Sequence, residues 1–143
     1  MLKAIIVTKQ NELEDAFNVR KKVFVHEQNV PLELEIDDFE EEATHVVVYD
    51  EETPVGAGRL RLVDGFGKLE RICVLSSYRG KGAGSIVMEK LEEIAHQKGV
   101  SKVKLNAQTT AEAFYQKLGY ETISEDVFLD AGIPHVSMMK SIR

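Results

Sequence analysis

The sequence contains a single cysteine, Cys73, among 143 residues. One cysteine cannot form an intrachain disulfide, and it cannot build a metal site from several thiolates. This usage favours a reducing compartment, so we expect a cytoplasmic protein. No base or cation that would lower the pKa of Cys73 is evident in the sequence, and we therefore expect no catalytic thiol.

Basic residues are also scarce, with 18 Lys and Arg against 24 Asp and Glu and a formal net charge of -6. A nucleic-acid-binding protein needs a clustered excess of positive charge, so nucleic acid is not expected as a partner. Long apolar runs are missing as well. The opening run over residues 4–7 is too short for a signal peptide or a membrane span, and no membrane association is expected.

Metal-binding patterns are absent too. The four histidines show no His-Glu-x-x-His spacing, and the acidic stretch at 33–42 lacks the glycine and ligand pattern of an EF-hand. We expect no metal. There is no repeat or linker, and 143 residues with 43% hydrophobic content suit one domain spanning residues 1–143.

The first third of the chain predicts a strand, a helix and a charged connection. The strand covers residues 4–7. Asn11 resembles a helix N-cap with Glu14 as its capping-box partner, and apolar residues at helical spacing continue to about Phe24. The stretch 33–42 holds seven carboxylates, which predicts a solvated loop or short helix rather than buried structure.

The remainder alternates between strands and helices. Three β-rich segments separated by short turns predict antiparallel hairpins. A strand–helix–strand unit follows and requires a crossover, which makes the sheet locally parallel there. We therefore predict an α/β fold, an α+β mixed sheet flanked by helices, with strands at 44–49, 55–62, 69–74, 103–107, 120–124 and 135–140 and helices at 84–98 and 111–118.

A glycine-rich loop, Arg79-Gly80-Lys81-Gly82-Ala83-Gly84, runs from a strand end into a helix start. Free N–H groups and the helix dipole favour an anion at such a place, and a pyrophosphate fits main-chain donors flanked by two cations. A tight turn with solvated charges is the alternative. A P-loop is excluded because no Gly-Lys-Ser/Thr follows, and a dinucleotide fingerprint fails because Ser85 and Val87 stand where its last glycine belongs.

With these residues the chain resembles the GNAT superfamily of acyl-CoA-dependent N-acyltransferases. The superfamily signature Arg/Gln-x-x-Gly-x-Gly/Ala corresponds to Arg79, Gly82 and Gly84. The strand at 71–74 and the segment 111–120 follow the family order and spacing. Residues 23–28 and 132–135 are similar to the small bacterial YjcF and ElaA type. The resemblance implies a mostly antiparallel central sheet with one splayed parallel pair.

The resemblance also implies roles for individual residues. The backbone of Ile72, Cys73 and Val74 would bind the pantetheine arm of acetyl-CoA, the acyl donor. The loop would bind its pyrophosphate through Arg79, Gly80, Lys81, Gly82, Ala83 and Gly84. The family commonly has Asn near the end of the next strand; here Gln108 or Asn106 would supply that amide. Tyr115 matches the tyrosine that protonates the departing thiolate, a role that suits a phenol with a pKa of roughly 10.

An attacking amine must lose a proton, which calls for a base near the acyl carbon. Glu70 is one candidate, although it could instead form an ion pair with Arg71 or Arg59. His135 and His45 are others, and a chain of ordered water could replace all three.

These residues predict an N-acetyltransferase that joins acetyl-CoA and a primary amine in one ternary complex. The alternative is a non-catalytic acyl-CoA-binding regulatory module. The acidic stretch would attract a cationic amine if it lined the cleft, or would merely solvate a loop. The acceptor therefore stays open among amino sugars, polyamines, small amino compounds and protein amines. By analogy with the family we expect a homodimer.

Overall fold

The computed structural model describes residues 1–142. Eight strands form one sheet: β1 Leu2–Ile6, β2 Thr44–Asp50, β3 Thr53–Val63, β4 Phe66–Val74, β5 Lys102–Gln108, β6 Glu121–Thr122, β7 Phe128–Asp130 and β8 Ile133–Ser141. The helices are α1 Gln10–Arg20, α2 Leu32–Glu35, α3 Ala83–Gln97 and α4 Glu112–Lys117, with a π-helix at Lys21–Glu27 and 3-10 turns at Ser76–Tyr78 and Thr109–Ala111.

The strand order is β1-β2-β3-β4-β5-β8-β6, and β7 also pairs with β8. Every pairing is antiparallel except that of β4 with β5. The predicted mixed sheet with one parallel pair is therefore confirmed. The sequence did not predict β7, which is only three residues long.

Strand alternation separates two apolar layers. On one face, Val46 and Val48 of β2 join the cluster formed with α3 through Val87 and Leu91. On the other face, Val47 joins a smaller cluster formed with α1. Helices therefore cover both faces, but towards β4, β5 and β8 the α1 face carries mainly polar side chains.

The start of α1 differs from the prediction. Asn11 lies inside the helix, which begins at Gln10. The capping carboxylate is Glu12, whose Oε1 accepts hydrogen bonds from the backbone N–H groups of Thr8 at 2.9 Å and Lys9 at 3.1 Å. The pattern of a polar residue followed three positions later by Glu also fits Lys9 and Glu12, two residues earlier than expected.

The end of α1 also differs. The α-helix ends at Arg20, but the chain continues through the π-helix to Glu27, three residues beyond the predicted end at Phe24. A π-helix is rare and is found mostly near functional sites. Here it brings the residues at its end to the edge of a large cavity.

Candidate active site

The cavity lies where β4 and β5 separate. These strands pair only through Gly67, Lys68 and Leu69, which face residues 103–105. Beyond Leu69 the strands diverge, and a cavity of about 1000 Å³ occupies the gap. The edge of β4 that faces β5 therefore has no strand partner along Ile72–Val74, as the predicted splay requires.

A β-bulge shapes this part of β4. Arg59 of β3 faces Glu70, and Ala57 faces Cys73, so Arg71 and Ile72 together lie opposite one residue. Arg71 has a φ of 58°, a left-handed conformation that costs a non-glycine residue energy. Its guanidinium offsets that strain by donating hydrogen bonds to the carbonyl oxygens of Leu34 and Glu35, at 3.0 and 3.2 Å.

The glycine loop borders the cavity at the start of α3. Gly80 and Gly82 have φ values of 79° and 88°, which favour glycine. Gly84 packs against Phe114, and a Cβ there would lie 3.0 Å from its Cζ, so the ring would have to shift by a few tenths of an ångström. The first main-chain N–H of α3 with an acceptor in the described chain belongs to Ile86, which bonds to the Gly82 carbonyl at 3.2 Å. The preceding N–H groups are free for an anion.

The two cations of the loop are less available than predicted. The Arg79 guanidinium donates two hydrogen bonds to Glu27 at the end of the π-helix, at 2.6 and 2.8 Å. It also donates to the carbonyl of Val74 at 3.2 Å. Lys81 packs over the ring of Tyr78, with Nζ 5.4 Å from the centroid. Glu27 thus neutralises Arg79 in this structure.

The cavity brings together most of the residues predicted from the sequence. Its lining includes Glu70, Ile72, Cys73, Val74, Arg79, Gly80, Gly82, Gly84, Asn106, Gln108, Tyr115 and His135. Two predicted loop residues are not in that lining: Lys81 lies over Tyr78, and the Ala83 side chain is only 1% exposed in the core.

Tyr115 lies on α4 and is 8% exposed. Its ring meets Phe114 and Tyr120 edge-on, at centroid distances of 5.1 and 5.9 Å. No residue in 1–142 forms a hydrogen bond with the Tyr115 hydroxyl. Every fully buried side-chain oxygen in the described chain has a hydrogen-bond partner, so this hydroxyl is not fully buried. The hydroxyl must therefore be open to the cavity. Burial, followed by the nearby Cys73, raises the pKa of Tyr115, which keeps the phenol protonated.

Cys73 is buried on β4, and burial raises the pKa of its thiol to about 12. The thiol therefore stays neutral near pH 7 and is not a nucleophile. The expected role of the Cys73 backbone stays a prediction.

The three candidate bases occupy different environments. Burial tends to raise the pKa of Glu70, but hydrogen bonds and charge from Arg61 and Arg59 outweigh it and lower the pKa. Glu70 is thus ion-paired, partly with the predicted Arg59, and is a weak proton acceptor. His45 lies outside the cavity lining, with Nε2 2.8 Å from the Glu40 carbonyl.

His135 lines the cavity and is 8% exposed. Its Nδ1 lies 2.6 Å from the carbonyl oxygen of Ile133, which can only accept a hydrogen bond. Nδ1 therefore carries a hydrogen, and in the neutral imidazole Nε2 carries the lone pair. Phe128 stacks on the ring at a centroid distance of 6.1 Å and fixes its plane.

The two candidate amides are both at the carboxyl end of β5. The side chain of Gln108 exchanges hydrogen bonds with Gln28, at 2.8 and 3.4 Å. Asn106 accepts a hydrogen bond from Ser137 at 2.9 Å through Oδ1, which leaves its Nδ2 donors free among the described residues. Gln28 and Glu27 were not expected at the site, although both belong to the segment 23–28 that carried the finer family resemblance.

The acidic stretch at 33–42 differs in its environment from the prediction. It was expected to be solvated, which holds for Glu33, Asp38, Glu41 and Glu42. Glu35, however, is 2% exposed and Glu40 has an 11% exposed side chain. Both carboxylates bind Arg20, Glu35 at 2.7 Å and Glu40 at 2.7 and 2.9 Å. Asp37 binds Arg59 through two hydrogen bonds of 2.8 Å. These carboxylates are neutralised by arginine and do not form a free anionic surface.

Individual pKa values follow this pairing. Burial would raise the pKa of Asp37, but the hydrogen bonds from Arg59 dominate and lower it to about 2. For Glu35, burial outweighs the attraction of Arg20 and raises the pKa. Within residues 1–142 no cluster of three potential metal ligands occurs, and no helix is long and apolar enough to cross a membrane.

Comparison with known proteins assigns the chain and its fold to a family. Residues 7–142 match the acetyltransferase (GNAT) domain. The chain belongs to the GNAT acetyltransferase family. It is 59% identical over 139 residues to YjcF, an uncharacterized N-acetyltransferase of Bacillus subtilis, covering 97% of this chain and 99% of the relative.

Solved GNAT structures agree. An acyl-CoA N-acyltransferase of Pseudomonas aeruginosa superposes with a TM-score of 0.86 at 25% identity, covering 98% of this chain and 99% of the other. ElaA of Escherichia coli superposes with a TM-score of 0.85 at 24% identity, with the same coverage, and supports the fold alone. The chain is therefore an acyltransferase, and GNAT membership implies an acyl-CoA co-substrate and an amine acceptor.

Proposed function

We propose that this GNAT protein transfers an acetyl group from acetyl-CoA to a primary amine, by direct attack within a ternary complex, with Tyr115 as the general acid. The observation that carries the proposal is the Tyr115 hydroxyl, which is open to the cavity between the glycine loop and His135 and has no partner among residues 1–142. A protonated phenol in this position can donate its proton to a group that enters the cavity.

The coenzyme would lie along the splayed edge of β4. Main-chain groups of Ile72, Cys73 and Val74 would bind the pantetheine arm, and the free N–H groups from Gly80 to Gly84 would bind the pyrophosphate. Arg79 would exchange Glu27 for a phosphate oxygen. Asn106 supplies the amide better than Gln108, whose side chain is already paired with Gln28.

His135 is our choice of base. Its Nε2 lone pair is available because Nδ1 donates to the Ile133 carbonyl, whereas Glu70 is held by two arginines. The amine lone pair attacks the acyl carbon after its proton passes to Nε2, directly or through water. As the carbon–sulfur bond breaks, Tyr115 donates its proton to the leaving thiolate, and the proton that the acylated nitrogen then loses returns to the Tyr115 phenolate, directly or through water.

The raised pKa of Tyr115 is compatible with this step. Burial raises the pKa of the nearby Cys73 thiol to about 12. A leaving thiolate that is equally removed from water would also be more basic than in solution. Because Cys73 is neutral, we propose no acyl-enzyme intermediate.

Tyr115→Phe tests the proposal, because it removes the hydroxyl and keeps the packing against Phe114. We expect kcat to fall by roughly 10²-fold, with coenzyme affinity from calorimetry unchanged. Tyr120→Phe is the matched control. It also removes one buried hydroxyl, which donates to Glu92 at 2.8 Å, but Tyr120 is not in the cavity lining.

Thiol release from acetyl-CoA with a broad amine panel is the activity measurement. Full activity of Tyr115→Phe would remove Tyr115 from the mechanism. Coenzyme binding by folded protein without thiol release from any amine would favour the non-catalytic acyl-CoA-binding module instead. A pH–rate profile of His135→Gln that matches the parent would leave water as the base.

Three broader expectations belong to this proposal. We infer that residues 1–143 act as one domain, and cysteine usage supports a cytoplasmic location. A homodimer remains an expectation from the family, which sedimentation would test.

A further inference from the structure

The acceptor side of the cavity is richer in free hydrogen-bond donors than in free acceptors. This side is bordered by the start of β4, by α2 and by the β7–β8 turn, and its lining includes Lys68, Glu70, Arg71, Asn106 and Asp130. Which of these groups are already paired decides what kind of acceptor molecule fits.

The carboxylates of Glu70 and Glu35 are already paired with arginines. Glu70 accepts hydrogen bonds from Arg59 at 3.1 Å and from Arg61 at 2.7 Å. Glu35 contacts Arg20 at 2.7 Å and Arg71 at 3.1 Å. One connected network holds five cations against five carboxylates, namely Arg20, Arg59, Arg61, Lys68 and Arg71 against Glu35, Asp37, Glu40, Glu42 and Glu70.

Several donors facing the cavity are unused. The ammonium of Lys68 is 3.4 Å from Glu70 and donates no hydrogen bond within residues 1–142, and its side chain is 32% exposed. The Nη1 atom of Arg71 and the Nδ2 atom of Asn106 likewise have no acceptor in the described chain. Arg71 cannot swing away, because its other nitrogens bind the carbonyls of Leu34 and Glu35.

A group with acceptor atoms only would satisfy these donors. Asp130 at the end of β7 also lines the cavity, has no partner among the described residues and could meet an ammonium. A molecule with both an amine and an anionic group matches this arrangement. A polyamine would instead bring positive charge against Lys68 and Arg71.

We propose that the acceptor is an amine that also carries a carboxylate or phosphate, and that Lys68 and Arg71 select it by binding this anionic group. This inference rests on the proposed acetyl transfer and names its substrate class. Lys68 and Arg71 are then specificity-determining residues, and Asn106 contacts the acceptor as well as the coenzyme.

The experiment compares amines that differ only in the anionic group. The pairs are phenylalanine with phenylalaninamide, β-alanine with its amide, and O-phosphoethanolamine with ethanolamine, with spermidine as the cationic probe. We expect kcat/KM of the anionic member to exceed that of its neutral partner by about tenfold or more, mainly through KM. Comparing the kcat/KM ratio of the phosphate pair with the ratios of the two carboxylate pairs shows whether phosphate or carboxylate binds better.

Lys68→Met should remove about tenfold of this preference, and Lys68→Glu should shift it towards spermidine. Lys104→Met is the matched control, since Lys104 is the register partner of Lys68 on β5 but lies over the Phe66 ring, outside the cavity lining. It should leave the preference unchanged.

Equal or better turnover of the neutral amines or of spermidine would overturn the inference while leaving acetyl transfer intact. If no amine releases thiol, acetyl transfer fails instead. Calorimetry with phenylalanine and its amide, with coenzyme A present, then decides the anion site separately. The site is supported if phenylalanine binds, phenylalaninamide does not, and Lys68→Met weakens the binding of phenylalanine. Equal binding of phenylalanine and phenylalaninamide overturns it.

Discussion

Arg59 is the centre of the buried charge network, and its replacement by Met offers a quantitative test of how the acidic stretch is held. Its side chain is 1% exposed and lies within 3.1 Å of carboxylate oxygens from Asp37, Glu40 and Glu70. Methionine keeps much of the apolar stem but leaves three carboxylates without their shared cation. The stretch after α2 would lose its main attachment to the sheet.

The expected loss is about 3–5 kcal/mol of unfolding free energy, the usual cost of removing one partner from a buried ion pair. Asp37 alone accounts for about 2 kcal/mol, since Arg59 is the main reason that its pKa falls from 3.8 to about 2. For a domain of this size the loss corresponds to a Tm lower by roughly 10 °C.

The pH dependence separates charge from packing. A lowered carboxylate pKa contributes stability that is fully present above the unfolded pKa, about 4, and is lost as the pH falls towards about 2. The gap in stability between the parent and Arg59→Met should therefore be largest at about pH 7 and should narrow below about pH 4.

Urea denaturation at neutral and acid pH is the assay, with Arg61→Met as the control. Arg61 shares Glu70 with Arg59, and its other partner Glu42 is 59% exposed, so we expect its loss to cost only about 1 kcal/mol. A gap for Arg59→Met that is the same at both pH values would refute the charge argument and assign the loss to packing.

Two further predictions concern the coenzyme side. Gly84→Val should weaken coenzyme A binding by at least about tenfold, because a Cβ already lies 3.0 Å from Phe114 and the added methyl groups would displace α4 or the loop; unchanged affinity in calorimetry would remove Gly84 from the binding loop. Glu27→Gln should tighten coenzyme binding by about threefold at low salt, because the phosphate no longer competes with a carboxylate for Arg79. Weaker binding in the same titration would instead mean that Glu27 holds Arg79 in its working position.

The coenzyme side was readable from the sequence because its signals are local. Gly80, Gly82 and Gly84 lie within five positions, and the positive φ values of Gly80 and Gly82 suit a tight strand-to-helix turn. Tyr115 lies on a short helix at a spacing that the family resemblance made interpretable. In both places neighbouring residues carry the information.

The acceptor side depends on contacts between distant residues. Gln28 and Gln108 pair across 80 positions, and Glu35 and Arg71 meet across 36. A run of carboxylates looks the same in sequence whether water or arginine surrounds it, so the burial of Glu35 had no local signal. The bulge at Arg71 could not be predicted for the same reason, because no local sequence signal indicates that a residue other than glycine adopts a left-handed conformation.

The short pairing of β4 with β5 has a consequence for how such a protein can change over time. Backbone amides exposed by the splay are present whatever side chains Ile72, Cys73 and Val74 carry, so the coenzyme side tolerates substitution as long as the strand and the bulge persist. Recognition at Lys68 and Arg71 depends on side chains alone. A new acceptor could therefore arise from a few substitutions along the opening of β4 while the donor half stays as it is.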